Sequence, residues 1–207
     1  MKEKLVRIAM TVLGLLIAGI AVGLFKHSNF GTDPFQAFAA GIHSKTTLSF
    51  GIMYAIINIA FLVVVFFIKK HYIGIGTIIN LFLIGYIVEY SYAGFQILLP
   101  EPTLVIRIAM LCIGFIILCI GSSFYITADL GVSTYDAVAL ILSDKKVAKF
   151  QYCRIATDII CVIIGFLLGA TVGVGTIMTA FLMGPFIVFF RRTLSEPMLK
   201  KVVTTTA

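Results

Sequence analysis

Residues 31–37 read GTDPFQA, and residues 131–137 read GVSTYDA. Each stretch follows a long apolar run and has the pattern of a helix start, in which Asp or Ser caps free backbone N–H groups and a polar residue follows three positions later. In the first stretch a proline occupies the first helical position, where its missing N–H has no cost. The two stretches therefore predict short helices over 34–43 and 134–143.

The composition indicates a chain that folds in a lipid bilayer. Of its 207 residues 60% are hydrophobic and 12% are charged, and the mean hydropathy is +1.11. Soluble domains do not have this composition. Runs of about 20 apolar residues are long enough to cross the hydrocarbon core. The predicted spans are 5–25, 50–68, 73–92, 104–125, 150–169 and 173–190.

The two halves of the sequence resemble each other at a constant spacing. RIAM occurs at 7–10 and again at 107–110, and after one deleted residue GIGTI at 74–78 matches GVGTI at 173–177. A single register across both halves predicts an internal duplication. We expect residues 1–103 to form one three-span repeat and residues 104–207 to form the second.

An odd number of spans in each repeat places the second copy in the membrane upside down. The positive-inside rule gives the same topology, because with a cytoplasmic N-terminus twelve of the sixteen Lys and Arg residues lie in cytoplasmic segments. The sequence therefore predicts an all-α integral membrane fold with six transmembrane helices in two inverted-topology repeats, each with a short broken or re-entrant helix. Both termini are expected to be cytoplasmic. We attribute the excess of basic residues to this membrane topology and not to nucleic-acid binding.

The short helices are candidates for a binding site. Each would be about 15 Å long, half the thickness of the hydrocarbon core. Short broken helices at equivalent positions of two inverted halves point to a transporter binding site, where their N-termini offer unpaired amides. The alternative is that both helices lie flat in the membrane interface. The residues at these N-termini that we expect to contact a solute are Thr32, Asp33, Gln36, Ser133, Thr134 and Asp136.

Three amides in the first half align with three carboxylates in the second. The pairs are Asn29 with Asp129, Gln36 with Asp136, and Asn58 with Asp158. A carboxylate in a low dielectric can take up a proton whereas an amide cannot, so the second half is the expected place for coupling to protons or cations. For Asp129 and Asp136 we favour the simpler interpretation that they are solvated or cap a helix.

Asp158 lies about 12 Å along the fifth predicted span, with Arg154 one turn earlier on the same face. One interpretation is a structural ion pair with Arg154 extending to the cytoplasm. The other, which we favour, is that Asp158 and Asn58 form the polar centre of a solute path, because an ionisable group in a bilayer is costly. Asn80 is a weaker candidate that could equally form a helix-packing hydrogen bond.

The same residues form motifs that are similar to those of a known protein family. The first half contains FGTDPFQAFAAGIH and GIGTIINLFLIGYI, and the second contains LGVSTYDAV and GVGTIMTAFLMGP. With these motifs the chain resembles the YczE/YitT-type family of bacterial multi-pass membrane proteins over almost its whole length. The resemblance implies a six-span protein of the bacterial cytoplasmic (inner) membrane.

Taken together, these patterns favour a secondary transporter of a small polar or anionic solute, which binds near the midplane at the repeat interface. The alternative is a non-transporting membrane scaffold or accessory protein that supports a partner enzyme or an envelope process. No enzyme, cofactor or metal site is expected, because the cysteines and histidines form no ligand-like cluster and no nucleophile–base arrangement occurs. The expected partners are the lipid bilayer and an unknown small-molecule solute, with a homodimer left open and nucleic acid excluded.

Overall fold

The computed structural model describes residues 2–48, 50–170 and 172–206, and Met1, Ser49, Thr171 and Ala207 lie outside it. Every regular element in the described residues is helical. In chain order the helices are α1 (Lys2–Ser28), α2 (Pro34–His43), α3 (Phe50–Lys69), α4 (Ile75–Leu98), α5 (Leu104–Ala128), α6 (Thr134–Asp144), α7 (Phe150–Leu167), α8 (Val174–Phe190) and α9 (Glu196–Thr206). A 3₁₀ turn, Lys70–Tyr72, follows α3, and a π-helical turn, Arg191–Ser195, joins α8 to α9.

Six of these segments are long and apolar enough to cross a membrane, which confirms the predicted number of spans and makes the chain a multi-pass membrane protein. The two short helices α2 and α6 also form where the capping patterns predict them. Asp33 caps α2: its carboxylate accepts hydrogen bonds from the backbone N–H groups of Phe35 and Gln36, both at 3.1 Å. Pro34 occupies the first helical position.

The C-terminal part of the chain continues further than the sequence predicts. The last span was expected to end at residue 190, where Arg191 and Arg192 interrupt the apolar run. In the structure the helical path continues through the π-helical turn into α9. The Ser195 hydroxyl in that turn is buried and hydrogen-bonds the Thr127 hydroxyl at 2.7 Å, so tertiary contacts hold the continuation in place.

The chain divides into two compact units that do not coincide with the sequence halves 1–103 and 104–207. Unit 1 contains α1, the chain from His71 to Ser133 and the residues from Pro185 onward, whereas unit 2 contains Asn29–Lys70 and Thr134–Gly184. Each unit thus draws on both halves. That the halves are repeats stays a prediction.

Within unit 1, α1 packs against α4 and α5. Glycines allow the close approach of α1 and α5: a Cβ atom added to Gly14 would lie 2.8 Å from the carbonyl oxygen of Gly121. Small residues at such crossings are typical of membrane helices, whose association depends on backbone contact because lipid offers no hydrophobic driving force between them.

Within unit 2, the short helices α2 and α6 both pack against α3 and α7. α2 approaches α7 closely, since a Cβ atom on Gly41 would lie 2.8 Å from the carbonyl oxygen of Gly165. This arrangement places the N-terminal residues of α2 and α6 beside the polar residues in the first half of α7.

The loops before the two short helices have the same backbone form. Asn29 and Asp129 adopt left-handed conformations with φ of 56° and 53°, and Gly31 and Gly131 follow with φ of 103° and 96°. In unit 2 the Gly175 N–H donates to the Phe30 carbonyl at 2.8 Å, and in unit 1 the Gly76 N–H donates to the Leu130 carbonyl at 2.7 Å. Each loop therefore satisfies a free N–H in the first turn of a long helix.

Candidate functional site

The candidate site lies in unit 2 and is centred on Arg154 and Asp158 of α7. Both side chains are buried, at 4% and 0% exposure. The Arg154 Nε donates to Asp158 Oδ2 at 3.1 Å, which is the i, i+4 pair expected from the sequence. The guanidinium is therefore enclosed by protein and does not extend into solvent.

Tyr135, from the first turn of α6, holds both members of this pair. Its hydroxyl donates to Asp158 Oδ1, and its ring lies 4.7 Å from the Arg154 Cζ in a cation–π contact. Burial raises the pKa of Tyr135, so its hydroxyl remains a donor. Both oxygens of Asp158 are thus occupied by protein groups.

Asp136, the next residue of α6, forms an ion pair with the Arg154 Nη1. Its side chain is 16% exposed. The interpretation favoured from the sequence, that Asp136 is only solvated or caps a helix, is therefore wrong: the fold of α6 against α7 brings it to the buried guanidinium. Asp129, by contrast, is exposed and ends α5, as expected.

The third nitrogen of Arg154, Nη2, contacts the Sδ of Met183 in α8 at 3.8 Å. Every nitrogen of this guanidinium therefore has a partner inside unit 2. Gly184 allows the approach of α8 to α7, because a Cβ atom there would lie 3.0 Å from the carbonyl oxygen of Gln151.

Asp33 is the third acidic residue near Arg154. It is partly exposed, unlike Asp158, and its cap hydrogen bonds fix one carboxylate oxygen at the start of α2. Burial raises the pKa of the Asp33 carboxyl above its ordinary value of 3.8, although the N–H groups it accepts from and the Arg154 charge act in the opposite direction. The structure therefore favours the protonated form of Asp33 more than water does.

Asn58 and Thr134 extend this polar centre. The Thr134 hydroxyl donates to Asn58 Oδ1 at 3.0 Å, and the Asn58 Nδ2 donates to the Tyr54 carbonyl at 2.8 Å. Since Tyr135 bonds Asp158, Asn58 and Asp158 are connected through the adjacent residues 134 and 135 of α6. The sequence predicted that Asn58 and Asp158 share one centre, and unit 2 contains both.

Aromatic side chains form the apolar side of the site. The rings of Phe35 and Tyr135 stack with centroids 4.8 Å apart, and Phe35 also meets the edges of Tyr54 and Phe61 at 5.6 Å each. Phe35 and Tyr135 are buried within a cluster that includes Cys161. This packing holds in place the Tyr135 ring, which makes the cation–π contact with Arg154.

The other predicted residues are Thr32, Ser133 and Asn80. Thr32 is partly exposed in the loop before α2, and Ser133 belongs to unit 1 at the end of the loop before α6. Asn80, also in unit 1, donates to the Tyr125 hydroxyl at 3.4 Å, and that hydroxyl donates to the Gly76 carbonyl at 3.2 Å. This is the helix-packing role that the sequence left open for Asn80.

Tyr135 was not predicted as a site residue, although the sequence contains a usable signal. Tyr135 aligns with Phe35 at the spacing of one hundred residues, and Arg154 aligns with Tyr54. Tyr135 has a hydroxyl group that the aligned Phe35 lacks, so a search for polar groups present in only one half would have found it. Met183 carries no such signal, because a methionine in an apolar helix looks like any packing residue.

The site's chemistry is that of a charge cluster in a membrane helix bundle. Within the described residues of unit 2, Asp33, Asp136 and Asp158 interact with one guanidinium, so full ionisation leaves two negative charges in excess. Such an excess favours protons or cations over anions. A pocket on α7 and α8 is lined by apolar residues and includes none of the cluster: Ile159, Val162, Ile163, Ile177, Ala180 and Phe181.

Comparison with known proteins gives relatives but no solved structure, since none matches the chain significantly. An uncharacterised protein of Haemophilus influenzae is 28% identical over 183 residues, covering 88% of this chain and 82% of its own length. The uncharacterised membrane protein YczE of Bacillus subtilis is 26% identical over 187 residues, covering 89% and 85%. The uncharacterised protein YyaS of the same organism is 22% identical over 190 residues, covering 91% and 94%.

These relatives agree with the resemblance to YczE seen in the sequence motifs, and one of them is named as a membrane protein. A family model also matches residues 5–192, which is most of the chain. The chain therefore belongs to the family of unknown function DUF6198.

Proposed function

We propose that the protein is a secondary transporter of a small polar solute that works by alternating access. The observation that carries this proposal is the buried cluster around Arg154, in which α2 and α6 bring Asp33 and Asp136 to the Arg154–Asp158 pair of α7. A buried ion pair is weak evidence for stability, because desolvation offsets most of the attraction. Charged groups inside membrane helix bundles are typical of solute and proton pathways.

The solute would bind in this cluster, which residues of both sequence halves build. The sequence left polar and anionic solutes open. The contacts of Arg154 favour a neutral or cationic solute over an anionic one, because an anion would have to compete with Asp136 and Asp158 for the guanidinium.

We further propose that the two halves are inverted repeats. Beyond the sequence register, one pair of equivalent contacts supports this. In unit 1, Arg7 donates to the Ala128 carbonyl at 3.0 Å and Arg107 donates to the Ser28 carbonyl at 2.8 Å. These four residues lie at the spacing of one hundred, and each arginine caps the C-terminal carbonyls of the other half's first long helix.

The proposed topology places both termini in the cytoplasm of a bacterium, with the protein in the inner membrane. The support is the distribution of Lys and Arg along the sequence and the likeness to bacterial relatives. In this topology the α2 side of the protein faces outside and the α6 side faces inside. Whether α2 and α6 enter the membrane or lie at its surface decides how solute reaches Arg154.

Transport is tested by a thermal-shift screen of small polar solutes on the purified protein, followed by uptake of the stabilising solutes into proteoliposomes. A ligand that binds only the folded state raises its stability by mass action. Asp158→Asn should abolish uptake, whereas the matched change Asp129→Asn, at an exposed acid in a loop, should leave it intact. If no stabilising solute is taken up, the protein is not a transporter of the solutes screened, and the scaffold function gains support.

The second candidate is a non-transporting membrane scaffold or accessory protein for a partner enzyme or an envelope process. It is favoured by the complete pairing of Arg154 and Asp158, whose polar atoms all have partners inside unit 2. Such a network can hold α6 and α7 together without binding any solute. This function would be supported if the membrane-embedded chain captures one protein, and if a change in an exposed loop abolishes the capture while the Arg154 network is left intact.

A further inference from the structure

We infer that Asp33 is the residue of this site that exchanges a proton with water, and that Asp158 is a fixed counter-charge of Arg154. This assignment rests on the proposed function in one respect, since it names the residue that would couple a proton to transport. The amide-for-carboxylate pattern of the sequence pointed to Asp158 instead. The geometry of unit 2 separates the two acids by exposure and by partners.

Asp158 has neither access to water nor a free acceptor site. Its side chain is fully buried, one oxygen accepts from Tyr135 and the other from the Arg154 Nε. A proton arriving there would have to break one of these bonds and leave the guanidinium without its partner. Asp136 is also fixed, by its ion pair with Arg154, though it is slightly more exposed.

Asp33 differs from Asp158 in its exposure and in its partners. Its side chain is partly exposed, and its cap bonds come from backbone N–H groups of Phe35 and Gln36, which an Asp side chain in either protonation state can accept. Both backbone bonds go to Oδ1, so protonation of the other oxygen leaves the backbone cap of α2 in place.

The charged and titratable groups near Asp33 come from three helices. On α7 these are Arg154, Asp158 and Cys161, and on α3 the group is Tyr54. On α6, Asp136 and Tyr135 act on the same guanidinium. Arg154 is already balanced by two carboxylates, so that an ionised Asp33 adds uncompensated negative charge. Burial is the main cause of the raised pKa of Asp33, and the Arg154 charge acts in the opposite direction.

The consequence is a defined charge exchange. With Asp33 protonated, the excess negative charge of the cluster is one; when Asp33 gives its proton to water, the excess becomes two. Arrival of a positive charge would favour release of the proton, and departure of that charge would favour its uptake. No bond other than O–H of the carboxyl is made or broken.

Infrared difference spectroscopy between acid and neutral pH tests the assignment on the purified protein in lipid. Protonated carboxyls give a carbonyl stretching band that carboxylates lack. We expect wild type to show a pH-dependent band that disappears in Asp33→Asn and in Asp33→Ser, the second being the residue at the aligned position 133. Both replacements preserve the helix cap, so the fold should remain. The band should survive in Asp158→Asn and in the exposed control Asp129→Asn.

The outcomes separate the inference from the proposed function. A band that persists in both Asp33 variants and vanishes in Asp158→Asn would overturn the assignment, as would the absence of any such band at pH values above the range of ordinary carboxyls. If the band belongs to Asp33 but no solute is taken up by proteoliposomes, the proton site stands and the transporter function falls. If uptake occurs and its pH profile is the same in wild type and Asp33→Asn, transport stands and the inference falls.

Discussion

Replacement of Arg154 by glutamine should destabilise the protein far more than loss of any exposed cation. The change removes the positive charge from Asp158, which is fully buried, and from Asp136, which is 16% exposed. Removal of one partner of a buried pair leaves an uncompensated charge and costs about 3–5 kcal/mol. If only hydrogen bonds were lost, each would contribute about 0.6 kcal/mol in a membrane protein, and the loss would stay near 1 kcal/mol.

The matched control is Lys69→Gln, which also replaces a cation of unit 2 by glutamine. Lys69 pairs with Asp144 at 2.5 Å, but the two side chains are 43% and 40% exposed. An exposed pair contributes roughly 0.2–1 kcal/mol. The predicted difference between the two variants is therefore a few kcal/mol.

The assay is the free energy of unfolding from denaturant titration in mixed micelles, with Arg154→Gln/Asp158→Asn as a double variant. Because the amide needs no counter-charge, the double variant should recover part of the loss, which gives a large coupling energy between the two sites. The reasoning is refuted if Arg154→Gln is no more destabilising than Lys69→Gln, or if the two changes are additive.

Three further predictions concern topology, pH and a loop. Reporter fusions after Ser44 and after Asp144 should report opposite sides of the membrane; the same side for both contradicts the inverted repeat. The pKa of Asp33 is raised in the fold, so its contribution to stability is complete below the ordinary carboxyl pKa and is lost as pH rises through the raised pKa. Thermal stability should therefore fall over that pH range in wild type and not in Asp33→Asn. Gly131→Ala should destabilise more than Gly169→Ala: φ is 96° and 95°, but only the first added Cβ meets a neighbour, Oγ1 of Thr77 at 2.6 Å.

The helices could be predicted from sequence because their determinants are local. Apolar run length against membrane thickness gives the six spans, and capping residues give α2 and α6. The continuation past Arg191 could not be predicted in this way. There the apolar run ends, and the helix is kept by contacts distant in sequence, such as Ser195 with Thr127 and with the Ser123 carbonyl.

The candidate site could be predicted in part. Comparison of the two halves identified Asp136, Asp158 and Asn58, because a changed charge at an aligned position is visible in sequence. It assigned Asp136 to solvent, since the sequence does not show that α6 packs its first turn against α7. The exposure of each acid likewise depends on the packed structure. Because Asp33 is partly exposed and Asp158 is fully buried, the candidate for proton exchange is Asp33 and not Asp158.

The charges of the site are distributed so that the two halves carry the same net charge at aligned positions. The aligned pairs are Asp33 with Ser133, Gln36 with Asp136, Tyr54 with Arg154 and Asn58 with Asp158. The first half has one negative charge at these positions, and the second has two negative charges and one positive. Because uncompensated charge in a bilayer is costly, the two additional acids of the second half are tolerated beside an additional guanidinium that both of them contact. One negative charge of the second half is left after this compensation, and an ionised Asp33 adds another, on an acid that is partly exposed and that a proton can neutralise.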